Sequence, residues 1–257
     1  MILPMGSILE VTSAFDDDLV LRMSSPGKVK GKGQPKRFLA EIYDKVRASC
    51  PTVYKARLRA SGKGATKHVA LKIAAGMHEA DNLEWESYFY KNDLRELQGS
   101  VVPIHYGFFR TSEAAGKKKG ACAVMVTELC DGWDPESHFV PDAFEINRRK
   151  LAAVFRLHRA GIMHTNLVDD SQEHFVAQGN DFRIVGFTNA IRHRCEGCVS
   201  IPRPYDDGRL YTDSHSEELG CPELYKAAQK WGILSPGGTI LLAAEFGWNL
   251  VDPPQYE

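Results

Sequence analysis

No apolar run of about 18 residues occurs in this chain of 257, so no membrane-spanning helix is expected. Net charge is nearly absent too. Lys and Arg number 32 against 33 Asp and Glu, which leaves −1 and no summed field to draw the chain to nucleic acid or a membrane. Neither partner is expected on that ground. The opening residues, MILPMGSILEV, have no basic stretch followed by a sustained apolar one. Secretion is therefore not expected, and a cytoplasmic or nuclear location is. Cysteines are few and scattered: Cys50, Cys122, Cys130, Cys195, Cys198 and Cys221 form no framework and read as free thiols. In HRCEGC, His193, Cys195 and Cys198 could supply three zinc ligands with Cys221 as a fourth. A lone C-x-x-C without a second pair at ligand spacing does not carry a metal site, and none is assigned.

What is present suits an ordinary core, with 43% hydrophobic and 25% charged residues. The length fits one large domain or two lobes. Residues 1–37 read as an N-terminal extension ending in a basic, Gly- and Pro-rich linker, SSPGKVKGKGQPKR. Strand-like text follows in FLAEIYDKV, TVYKARLRA and HVALKIA. In the last, alternation puts His68, Ala70 and Lys72 on one face and Val69, Leu71 and Ile73 on the other. EADNLEWESYFYKNDLREL reads as a helix. Leu83, Tyr90, Leu94 and Leu97 share a face, and Glu86 lies on it. A carboxylate on an apolar face needs a partner, and Lys72 is the natural one.

Two further strands, VVPIHYGFFRTS and ACAVMVTELC, flank a basic turn. Phe144, Leu151, Val154 and Phe155 then recur at helical spacing, HFVAQGNDFRIVGFTNA reads as two short strands, and SEELGCPELYKAAQKWGIL reads as a last helix between Ser216 or Glu217 and Gly232. The tail VDPPQYE reads as loose. Strands first and helices afterwards predict an α+β plan in two lobes, 38–130 and 131–257.

VALK (69–72), a helix Glu, VMVTELC, GIMHTNL and FRIVGF stand in an order and at intervals that resemble the protein kinase fold. LRELQGSVVPIHYGFF and ELGCPELY are similar to text in the compact, degenerate kinase-like proteins of fungi. The resemblance covers roughly residues 38–233. It implies a two-lobed protein kinase-like fold with an antiparallel β-sheet N-lobe and a reduced, mostly helical C-lobe. By position it implies that Lys72 holds the α- and β-phosphates, Glu86 holds Lys72, Thr127 is the gatekeeper, and Glu128, Leu129 and Cys130 form the hinge that meets an adenine. Val53, Ala70 and Val176 would sandwich the base, although plain strand packing accounts equally for Val53 and Val176.

The same resemblance shows what has gone. The phosphate loop would hold glycines where Val46, Ala48 and Pro51 stand, and side chains there obstruct the backbone approach to phosphate. The base position is Asn166, whose amide has no basic oxygen to offer. One metal position is Gly186 and the following Gly is Thr188. The other metal position is Ser171, or His174 if the loop is longer. Asp169, Asp170 and Glu173 are near enough to be substitutes, but three acids in a loop are usually solvated. His164 could act as acid or base near neutral pH, or prop the loop.

The resemblance thus implies a pseudokinase: a binding or scaffold protein without normal Mg-ATP phosphoryl transfer, with a protein partner or small molecule in an inter-lobe cleft. The alternatives are an enzyme using Lys72, Glu86 and His164 on a small metabolite, or a weak metal-independent phosphotransferase. No cofactor is expected beyond a weak, metal-independent adenine nucleotide.

Overall fold

The computed structural model describes residues 2–13, 20–26, 35–47, 51–61, 65–111, 122–133, 142–168, 174–194 and 222–233. Seven strands close into a barrel: β1 (Ile8–Ser13), β2 (Val20–Ser24), β3 (Arg37–Arg47), β4 (Thr52–Ala60), β5 (Lys67–Ala75), β6 (His105–Arg110) and β7 (Cys122–Glu128). Their order around the barrel is β1-β2-β6-β7-β5-β4-β3. Alternation builds the interior. Leu9 and Val11, Phe38 and Ala40, Ala56 and Leu58, Val69 and Leu71, and Val124 and Val126 all point inward and are buried. The intervening residues face outward. On β7 these are also buried, Ala123 and Met125 included, because α1 (Met77–Lys91) packs against β7, β6 and β5.

Two joints in the barrel are unlike the rest. β1 pairs with β3 in parallel, from Ile8 opposite Arg37 to Ser13 opposite Ile42. Among the described residues, β2 meets β6 at a single register pair, Ser24 with Arg110.

The barrel overturns the two-lobed protein kinase-like fold, and with it the degenerate fungal pseudokinase resemblance. The described residues are mostly strand around a closed seven-stranded barrel, with three α-helices, rather than an antiparallel lobe and a mostly helical one. The physical reason is local. The strands from 37 onward lie where their alternation places them, but the extension assigned to 1–37 contains β1 and β2, and these turn an open sheet into a closed one. Leu9, Val11 and Met23 are barrel core. Kinase-like motifs are short pieces of strand and helix text, and a barrel uses the same pieces.

Backbone contacts divide the chain into two compact units, Met1–Asp134 with Phe175–Asn189, and Pro135–His174 with Ala190–Glu257. The first holds the barrel, α1 and a small sheet in the order β11-β10-β8, made of β8 (Gly132–Trp133), β10 (Phe175–Gly179) and β11 (Asp181–Ile184). The second holds α2 (Ala143–Arg159), α3 (Pro222–Lys230), which packs on it, and the short pair β9 (Ile162–Met163) and β12 (Ile191–Arg192). Asp142 caps α2, its Oδ1 accepting from the Glu145 N–H at 2.7 Å. Leu151, Val154 and Phe155 are buried as their spacing predicts, whereas Phe144 is exposed. Among the described residues no helix is long and apolar enough to cross a membrane.

Candidate functional site

Lys72 and Val53 are register partners on adjacent strands, both on the outer side of the barrel, where Ala70 also lies, opposite Thr127. α1 crosses this side, and its periodicity brings Glu86 in with Leu83 and Tyr90, each 1% exposed. Lys72 Nζ donates to Glu86 Oε2 at 2.6 Å, with the lysine side chain 18% exposed. A carboxylate buried this deeply needs such a partner, which is what the desolvation argument from the sequence expects.

A second donor comes from a different part of the chain. Arg183 on β11 donates to the carbonyls of Ser100 at 2.7 Å and Gly99 at 2.8 Å, and the Ile184 N–H donates to the Val101 carbonyl at 2.8 Å. The chain then turns at Gly186, whose φ of 87° is a left-handed conformation that favours glycine. In the 3₁₀ turn Phe187–Asn189, the buried Phe187 ring meets Tyr90 edge-on at 5.5 Å. That contact sets Thr188, whose Oγ1 donates to Glu86 Oε2 at 3.1 Å. Lys72, Glu86 and Thr188 form one hydrogen-bonded group. Burial, then the Glu86 charge, pushes the Tyr90 phenol well above its usual range.

The other predicted residues of this unit have their own places. Glu128 Oε2 accepts from the Ile104 N–H at 3.1 Å, so its carboxylate is engaged by the backbone. Leu129 and Cys130 follow β7 and are half-buried. The Cys130 thiol is pushed up to about 12 by burial and then by the Glu128 charge, so it is not a nucleophile near neutral pH. Val176 is half-buried on β10, opposite Arg183. Of the three glycine-replacing positions, Val46 is exposed and Pro51 half-buried, while Ala48 lies outside the described residues. Asp169, Asp170, Ser171, Glu173, Cys195, Cys198, Ser216, Glu217 and Cys221 also lie outside them.

His164 and Asn166 belong to the second unit, and the Lys72 group belongs to the first. There Glu223, which carried no assignment in the sequence, organises the loop. Its Oε2 lies 2.6 Å from His158 Nε2 and accepts from the His164 N–H at 3.2 Å, and its Oε1 accepts from the Thr165 N–H at 2.6 Å. Burial raises the Glu223 pKa, but the His158 hydrogen bond and charge, the His164 charge and the Thr165 N–H together hold it below the usual carboxylate range. Thr165 has φ 74°, the one positive value for a non-glycine among the described residues. Such strain persists only where surroundings fix it, and here Glu223 does so. His164 is fully buried, its ring 4.7 Å from that of His174. Asn166 Oδ1 accepts from Thr165 Oγ1 at 3.3 Å. The signal that could have found Glu223 is a lone acid at the start of an apolar helix face in PELYKAA.

A buried pair in the first unit also went unread. Ser87 Oγ lies 3.0 Å from His105 Nε2 beneath α1. Burial, then the Lys91 charge, lowers the His105 pKa to about 3, so the imidazole is neutral.

No protein-family model matches this chain, and no curated protein matches it.

Proposed function

We propose that this is a binding protein, in which the outer barrel surface around Lys72 takes a small anionic ligand, and that it does not carry out normal Mg-ATP phosphoryl transfer. The observation that carries this is the ammonium itself. One of its three N–H donors is committed to the buried Glu86, and the side chain is still partly exposed beside the half-buried Val53 and Ala70. A fixed cation next to apolar surface suits an anion attached to a flat or apolar body. Glu86 already accepts from Lys72 and Thr188, which keeps the carboxylate off an incoming anion. A weak, metal-independent contact with adenine nucleotide is compatible with the same surface.

The test is untargeted mass spectrometry of small molecules copurifying with the wild-type chain and with Lys72→Met combined with Glu86→Leu. An anionic compound retained by the first and lost from the second is the expected result. Equal retention by both proteins, or phosphoryl transfer at about 1–100 per second, would overturn the reading.

A further inference from the structure

The near-zero net charge conceals a segregation. Residues 28–72 contain thirteen Lys or Arg and two acids, Glu41 and Asp44, a net charge of +11. The other 212 residues carry nineteen Lys or Arg against thirty-one acids, a net charge of −12. Strands β3 and β4 and most of β5 lie within the basic stretch, and the barrel decides which of their side chains face solvent. With Phe38, Ala56, Leu58 and Val69 turned inward, Arg37, Arg57, Arg59 and His68 are turned outward, and all four are exposed.

We infer that this outer face of β3–β5 binds single-stranded nucleic acid. Three features of the face support it. The first is that its guanidinium groups meet no carboxylate among the described residues. No described carboxylate forms an ion pair with Arg37, Arg57 or Arg59, while Asp131 and Asp44 lie against Lys55 at 3.3 and 3.7 Å. Glu41 is the register partner of Arg57 but makes no ion pair with it. Guanidinium forks match phosphate geometry. The second is spacing: residues two apart on a strand repeat every 6.6–6.8 Å or so, close to the phosphate repeat of an extended strand, and Arg57 and Arg59 are so placed.

The third is a π cluster in the middle of the face. Tyr43 Oη lies 2.9 Å from His68 Nδ1 with the rings edge-on, and the Arg57 guanidinium is 5.2 Å from the Tyr43 ring centroid. These contacts hold flat groups at the surface on which a base can stack. A duplex is disfavoured, because an outer sheet face offers no helix or ribbon to enter a major groove. His68 and Lys72 lie on the same outer face of β5, four residues apart, and the inference does not depend on the small-ligand reading.

Fluorescence anisotropy of the full chain with labelled oligo-dT and oligo-rU of roughly 15 nucleotides tests the assignment. Saturable binding at about 50 mM salt should weaken steeply by about 200 mM. Arg57→Gln with Arg59→Gln should lower affinity at least about ten-fold and make the plot of log K against log salt shallower by about 1.4. Arg57→Lys with Arg59→Lys should keep that slope, and His68→Ala should lower affinity with the slope unchanged. All three substituted side chains are exposed, and an unchanged melting temperature shows that each variant is folded. Absence of binding at the lower salt overturns the inference, as does affinity indifferent to the arginine pair. So does affinity lost only with Lys72→Met, which would place the oligonucleotide at the small-ligand site. Equal affinity for phosphatidylserine vesicles or polyglutamate, lost with the same variants, overturns it as well.

Discussion

Lys72 and Glu86 could be matched from the sequence because each lies in a periodic segment. Strand alternation fixes the face of one, helical spacing fixes the face of the other, and the cost of a lone buried carboxylate links them. Lys72→Ala should therefore cost about 3–5 kcal/mol in urea unfolding. Lys72→Met with Glu86→Leu should cost much less, since no charge is left behind. Equal small losses for both would contradict the burial of the pair. Thr188 was not legible as a third member, because its position depends on the contact between Phe187 and Tyr90, residues 97 positions apart by the numbering. His105 was equally hidden, and it supplies a pH prediction. Its folded pKa of about 3 lies below the usual 6.5, so only the unfolded chain takes up the proton between those values. Stability is full above pH 6.5 and falls as the pH drops toward 3, by about 2 kcal/mol at pH 5. His105→Gln should remove that part of the slope when unfolding is compared at pH 7 and pH 5.

The strands from 37 onward were legible as elements, and β1 was not assigned. ILEVTS alternates as well as any other strand, but the basic linker text after it led the whole of 1–37 to be set apart. No local signal says that β1 lies parallel to β3, because pairing is a property of the assembled sheet. Leu9→Ala tests which description holds. Leu9 is fully buried, and its truncation should cost about 2–5 kcal/mol. A loose extension would show no loss. At the start of α2, Asp142→Ala removes the acceptor for the Glu145 N–H and should cost about 1 kcal/mol in thermal or urea unfolding. Asp142→Asn should restore most of it.

Kinase-like motifs follow one another along the chain, yet order along a chain does not determine how a sheet ends. An open sheet and a closed barrel can share every strand but two, here β1 and β2, and this is where the resemblance led away from the fold. The residues around Lys72 lie near one another in either sheet, whereas His164 and Asn166 belong to a separate unit. For the molecule as a whole, millimolar ATP should raise the melting temperature by less than about 2 °C, and by the same amount with magnesium or a chelator. Saturation at a hundred times the dissociation constant would add about 2.7 kcal/mol, roughly 5–10 °C for a chain of this size. A shift above about 5 °C that a chelator abolishes would establish a metal-dependent nucleotide site and displace the binding-protein reading.

A barrel is only as closed as its narrowest seam, and among the described residues that seam is the pairing of Ser24 with Arg110. Parting it would leave β2 with a free edge and β6 with an edge held only by the Leu3 N–H on the Tyr106 carbonyl among the described residues. Edges of this kind recruit strands from other molecules. The amides along β2 should therefore exchange with solvent faster than those of β4, which is paired on both sides. Mild heat that opens the seam without melting the rest should give self-association through strand addition, an oligomer assembled from nearly native barrels.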